Sequence, residues 1–152
     1  MSNAALALQE KYEQVIAIYD RVLTTNPREA RAWNNRGFAL MQLGRYQEAI
    51  ASYNRALAIN PNHAKTWNNL GFALRKIGNY EKSIAAYDRA LAIDPNYARA
   101  WNNRGFLLKQ LGKYGEALIA YEKALAIDPN YTTARQNYNS LIQEMGLENL
   151  TP

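Results

Sequence analysis

Trp33, Trp67 and Trp101 recur at intervals of 34 residues, and their neighbours recur with them: WNNRGFAL, WNNLGFAL and WNNRGFLL. A fixed period of this length makes the chain an array of one small unit that buries its apolar face only by stacking on its neighbours. Function in such an array belongs to an extended surface rather than to a pocket.

Aligned at the period, 1–152 reads as a single repeat domain with full repeats at 30–63, 64–97 and 98–131. Each repeat predicts two amphipathic helices. The first runs over about 31–43, 65–77 or 99–111. Gly44, Gly78 or Gly112 follows, suited to the left-handed conformation that ends a helix. The second helix opens near Tyr46, Tyr80 or Tyr114 and closes at Asn60-Pro61, Asp94-Pro95 or Asp128-Pro129, since proline disfavours helix in the residue before it. The frame extends backward to a partial N-terminal repeat, 4–29, with a stub of a first helix at about 4–9 and a second helix from residue 12. It extends forward to a capping helix, 132–146, with Arg135 at the tryptophan position and a tail at 147–152. Ser2-Asn3-Ala4 has the look of a cloning scar, which would make the chain a fragment of a longer protein.

Packing expectations follow from residue size. Glycine in a helix interior costs about 1 kcal/mol relative to alanine. Gly37, Gly71 and Gly105 carry that cost in every repeat, so something must pack closely there. Ala49, Ser83 and Ala117 are the expected small partners, with Tyr53, Tyr87 and Tyr121 filling the gap to the next repeat. The tryptophans read as inter-helix core, with ligand stacking as the alternative.

The pattern resembles the tetratricopeptide repeat family. In the middle repeat it reads Trp67, Leu70, Gly71, Leu74, Tyr80, Ser83, Tyr87, Ala90 and Pro95, and the resemblance covers about residues 4–145. Arg36 and Arg104 stand where the family has leucine. The resemblance implies an all-α fold: antiparallel helix pairs in a right-handed superhelical solenoid, first helices on the concave face. It also implies a non-catalytic module for protein–protein interaction. One subfamily clamps a chaperone's C-terminal carboxylates with Lys, Asn and Arg. Asn69 and Arg99 match that set, but Asn34, Phe38 and Asn103 stand at its first Lys, first Asn and last Arg, so the chaperone partner is not carried over.

Chemistry-bearing motifs are absent from the sequence. There is no cysteine, and the one histidine, His63, falls in a loop. No phosphate loop, metal-ligand spacing or nucleophile–base pair occurs, so neither an enzyme, a cofactor nor a metal is expected. No apolar run is long enough for a transmembrane helix, and no signal peptide opens the chain. A cysteine-free chain fits a reducing compartment, and the cytoplasm is the expected location.

Charge narrows the binding reading. The three first helices, 31–43, 65–77 and 99–111, hold eight basic residues and no acidic one, while the second helices are nearly balanced. Where the family places those helices, a basic groove would draw acidic segments. Asn35, Asn69, Asn103 and, in the cap, Asn137 repeat at the same period and resemble the asparagine ladder with which some family members hold an extended peptide. An amide both donates and accepts, so it matches peptide N–H and C=O without reading sequence. Bonding between repeats or simple duplication is the alternative. Arg31, Lys65 and Arg99 precede the asparagines by one turn; Phe38, Phe72 and Phe106 follow by about one turn, with inner-helix packing as their alternative role. With Lys76, these eleven residues are the candidate peptide-binding set.

The leading expectation is a module for an extended, acidic peptide. The second is a self-associating scaffold, or a piece of a larger repeat protein, pairing through the incompletely covered helix 13–25. Nucleic acid fits less well, because the tyrosines occupy core positions rather than stacking platforms.

Overall fold

A computed structural model describes residues 2–147, so the tail from residue 148 on lies outside the described residues. Eight helices span them: α1 Asn3–Thr25, α2 Ala30–Gln42, α3 Tyr46–Ile59, α4 Ala64–Lys76, α5 Tyr80–Ile93, α6 Ala98–Gln110, α7 Tyr114–Ile127 and α8 Thr132–Glu144. The chain forms two compact units, 1–86 and 87–152, with the boundary inside α5.

Each first helix ends the same way. Gly44 takes φ +70°, and its N–H bonds the Met41 carbonyl while Arg45 N–H bonds that of Leu40. This pair satisfies carbonyls that the helix end would orphan, and the left-handed residue is one that glycine adopts without a Cβ penalty.

In unit 1, α1 packs on α2, α2 on α3 and α3 on α4. The core gathers Ile16, Leu40, Ala49, Tyr53, Leu57, Leu70 and Leu74. Unit 2 repeats the plan with α6 on α7 and α7 on α8. Tyr53 and Tyr121 are among the largest fully buried side chains.

Three features depart from the sequence reading. First, α1 is one continuous helix of 23 residues rather than a stub followed by a second helix. At 10–11 the chain has Glu-Lys, both good helix formers, where full repeats have a glycine turn.

Second, the atoms nearest a Cβ on Gly37 or Gly105 belong chiefly to a tyrosine of the second helix rather than to Ala49 or Ala117. A Cβ on Gly37 would lie 2.7 Å from Tyr53 Cε1, and one on Gly105 would lie 2.8 Å from Tyr121 Cε1. In the middle repeat the small partner does meet the glycine: Ser83 Oγ donates to the Gly71 carbonyl at 2.6 Å.

Third, the tryptophans are only partly buried. Their indole N–H groups donate to the carbonyls of Pro27, Pro61 and Pro95 at 2.8–2.9 Å, tying each first helix to the loop before it. Trp67 also packs against the core. In α8, Arg135 takes over the tie, donating Nη2 to the Pro129 carbonyl at 3.3 Å.

Candidate functional site

The N-terminal turns of α2 and α4 bring Arg31, Asn35 and Lys65 together. All three line one open cavity of about 390 Å³, shared with Asn34, His63, Thr66 and the acidic Glu29. Arg31 and Lys65 are exposed, Asn35 partly buried. Among the described residues neither Arg31 nor Lys65 forms an ion pair, so both keep their full charge for a ligand.

A polar chain runs beneath the cavity. Thr66 Oγ1, almost fully buried, donates to Asn34 Oδ1 at 2.9 Å, and Asn69 Nδ2 donates to the same oxygen at 3.4 Å. His63, exposed at the end of its loop, also caps α4: its Nδ1 accepts from Thr66 N–H at 3.3 Å. Asn35 is engaged at both ends, with Nδ2 donating to the Tyr19 hydroxyl at 2.9 Å and Oδ1 accepting from Asn34 at 3.4 Å. Unit 2 repeats one of these links, with Asn137 Nδ2 donating to Asn102 Oδ1 at 3.0 Å.

The first member of each asparagine pair is therefore the buried one. Asn34, Asn68 and Asn102 are at most 6% exposed, while Asn35, Asn69, Asn103 and Asn137 are partly exposed. Bonds between repeats are real for Asn69 and Asn137. These bonds use the amide nitrogen and leave the carbonyl oxygen without a partner among the described residues. An amide oxygen left this way keeps its capacity to accept a hydrogen bond.

The phenylalanines differ among themselves. Phe38 and Phe106 are 48% and 39% exposed, too open for inner-helix packing alone. Phe72 is partly buried, with Arg75 Cζ 4.8 Å and Lys76 Nζ 5.5 Å from its ring centroid. Such contacts are within cation–π range.

The basic set divides. Arg36 pairs with Asp20 at 2.6 Å, Arg104 with Asp88 at 2.7 Å and Lys109 with Glu144 at 2.6 Å. Three of the eight positive charges counted on the first helices thus bond carboxylates of neighbouring helices. Spacing alone does not separate these from Arg31, Lys65, Lys76 and Arg99, which form no ion pair among the described residues. For the two arginines the signal that does is Asp20 and Asp88, each 16 residues before its arginine.

Among the described residues, no group of three or more His, Cys, Asp or Glu is placed to hold a metal ion. No helix there is long and apolar enough to cross a membrane.

A tetratricopeptide repeat family model matches residues 4–62, 28–96 and 62–130 in three overlapping registers. The chain belongs to the tetratricopeptide repeat family. Among solved structures, a crystal structure of MamA superposes with a TM-score of 0.84 at 25% identity, covering 98% of this chain and 88% of that one. The Sgt2 tetratricopeptide domain of Aspergillus fumigatus gives 0.75 at 26%, covering 81% and 83%. The first tetratricopeptide domain of Spaghetti (RPAP3), bound to the HSP90 peptide SRMEEVD, gives 0.74 at 24%, covering 78% and 94%. A search of the curated proteins finds no match. As a tetratricopeptide repeat chain, the protein is an αα-repeat built for protein–protein interaction.

Proposed function

We propose that this protein is a non-catalytic binding module for an extended acidic peptide, held by the first helices of its repeats. The observation that carries this reading is the cavity that gathers Arg31, Lys65 and Asn35, two unpaired cations beside an amide. Arg31, Lys65 and Arg99 supply charge; Asn69 and Asn137 supply side-chain acceptors for the peptide's N–H groups, with Asn35 and Asn103 at the same register. Phe38 and Phe106 offer exposed rings to apolar side chains, and Lys76 extends the positive surface beside Phe72. Extended peptides are bound in this manner, with main-chain bonds giving affinity and side-chain contacts giving preference. The fold is compatible with such a ligand: in Spaghetti (RPAP3) it is bound to SRMEEVD, a peptide with an acidic end. A cytoplasmic location fits the cysteine-free composition.

The test is an array of fluorescent peptides graded in Asp and Glu content, titrated with wild type and with Arg31→Ala/Lys65→Ala/Arg99→Ala. Affinity should rise with acidic content and fall with added salt. The triple variant should lose at least about tenfold, the equivalent of 1.4 kcal/mol. Equal binding of acidic and neutral peptides would overturn the reading.

A further inference from the structure

Helix α1 carries a second stripe, apolar except at Lys11. Ala4, Leu8, Lys11, Val15, Ile18 and Val22 follow alternating steps of four and three residues, the spacing of a coiled-coil seam. Tyr12, Ile16, Tyr19 and Leu23 lie on an adjacent stripe of the same helix, where Ile16 and Leu23 are buried. Leu8 is 52% exposed, Ile18 51% and Val22 37%, while Val15 between them is partly buried against the core and Leu8 borders an open cavity shared with Gln42 and Leu43.

This stripe is not shaped for a first helix in the repeat register. At the positions one period after Val15, Ile18 and Val22, the inner second helices carry Ala49, Ser52 and Ala56. Two and three periods on stand Ser83, Ala86 and Ala90, then Ala117, Ala120 and Ala124. All nine are small and no more than 3% exposed. The approach is close: a Cβ placed on Gly105 would lie 3.2 Å from Ala120 Cβ. An isoleucine at that position would stand in the path of a first helix. On α1, then, residues have grown where the inner repeats keep them small.

We infer that α1 is a seam for a second copy of this chain, pairing with the partner's α1 antiparallel about a two-fold axis near Val15. Charge complementarity selects the antiparallel arrangement. Glu10 and Arg21 lie on the same flank of the stripe, so antiparallel pairing sets Glu10 against the other copy's arginine at each end. Parallel pairing would stack Lys11 on its own copy within the seam. Two-fold pairing of one surface with itself is the common form of protein self-association. The area sets its strength. A helix of 23 residues is about 35 Å long, and one face of it falls short of the ~800 Å² per partner of a standard interface. The dimer is therefore weak and concentration-dependent. This inference stands apart from the peptide reading, since none of its residues lines the cavity at Arg31 and Lys65.

The test uses the full chain. Sedimentation velocity from micromolar to millimolar concentration should show a reversible monomer–dimer equilibrium for wild type. Ile18→Asp/Val22→Asp should raise the dissociation constant at least about tenfold, with helicity unchanged. The peptide-site variant Arg31→Ala/Lys65→Ala/Arg99→Ala should dimerise like wild type. Because the chain has no cysteine, a single introduced one reports geometry without ambiguity. Val15→Cys should form a disulfide-linked dimer under mild oxidation. Leu8→Cys alone should not, but mixed with Val22→Cys it should cross-link. A wild type that stays monomeric throughout, or self-linking of Leu8→Cys, overturns the proposal.

Discussion

Arg36 joins two helices at once: its Nε donates to Asp20 Oδ1 at 2.6 Å and its Nη1 to Ser52 Oγ at 2.8 Å. Arg104 makes the first of these bonds again, to Asp88. The middle repeat has Leu70 at the arginine position and Asn54 at the aspartate position, so arginine and aspartate are present together or absent together. Because Asp20 is 52% exposed, the pair is screened and is worth at most about 1 kcal/mol. Urea denaturation of Asp20→Asn, Arg36→Leu and the double variant should give a coupling energy of about 0.2–1 kcal/mol. A coupling of zero would mean that the bond is incidental to how repeats join.

Asn34 and Asn69 share a bond yet are expected to differ in weight. Asn34 Oδ1 accepts from both Thr66 Oγ1 and Asn69 Nδ2, and Asn34 and Thr66 are both buried residues. Asn34→Ala removes both of these bonds at a buried site, leaving the Thr66 hydroxyl only His63 Nδ1 at 2.7 Å, and should cost about 1–3 kcal/mol. Asn69→Ala removes one long bond at a partly exposed site and should cost under about 1 kcal/mol. If chemical denaturation gave the reverse order, the outer asparagines would be structural first and the ladder reading would fall.

How far the sequence reaches is visible in these same residues. The period, the helix pairs and the glycine turns were legible because each depends on local chemistry: helix propensity, proline punctuation, a left-handed glycine. Which asparagine of each pair is buried was not, since both are polar and adjacent, and only the rotation of the helix separates them. The tie from tryptophan to the proline carbonyl was also hidden, because a bond across six residues leaves no compositional mark. Arg135 shows what could have revealed it: a donor side chain persists at the tryptophan position in α8 when aromatic character does not. The ion pairs of Arg36 and Arg104 could have been found by looking for acids that vary with the arginines between repeats.

Gly37 and Tyr53 give a sharp packing test. Alanine is the better helix former by about 1 kcal/mol. Even so, its Cβ would stand 2.7 Å from Tyr53 Cε1, and the ring is fully buried with no room to swing aside. Overpacking of this kind costs about 1–3 kcal/mol. Gly37→Ala should therefore be destabilising despite propensity, and Gly105→Ala should behave alike against Tyr121. The effect should be non-additive with Tyr53→Leu, whose smaller side chain relieves the contact. Thermal unfolding of the two single variants and the double variant measures this. A stabilised Gly37→Ala would mean that the helices separate freely at this point.

Tyr121 is the residue through which alkaline pH should act. Its hydroxyl is buried with no hydrogen-bond partner among the described residues. Burial, and secondarily the negative charge of Glu144, push its pKa far above the usual tyrosine value near 10. Burial does the same to Tyr53. In the unfolded chain both ionise near pH 10, while the folded chain holds them neutral and so binds more protons. Stability from these groups is fully present below about pH 10 and falls as pH rises beyond it. Tyr121→Phe removes an unsatisfied polar atom without changing the ring. It should be neutral or stabilising at pH 7, and it should flatten the alkaline loss of stability. Urea midpoints for wild type and Tyr121→Phe between neutral pH and pH 11 measure both effects. Parallel curves that fall equally steeply would show that Tyr121 ionises as readily folded as unfolded, against its burial in the core.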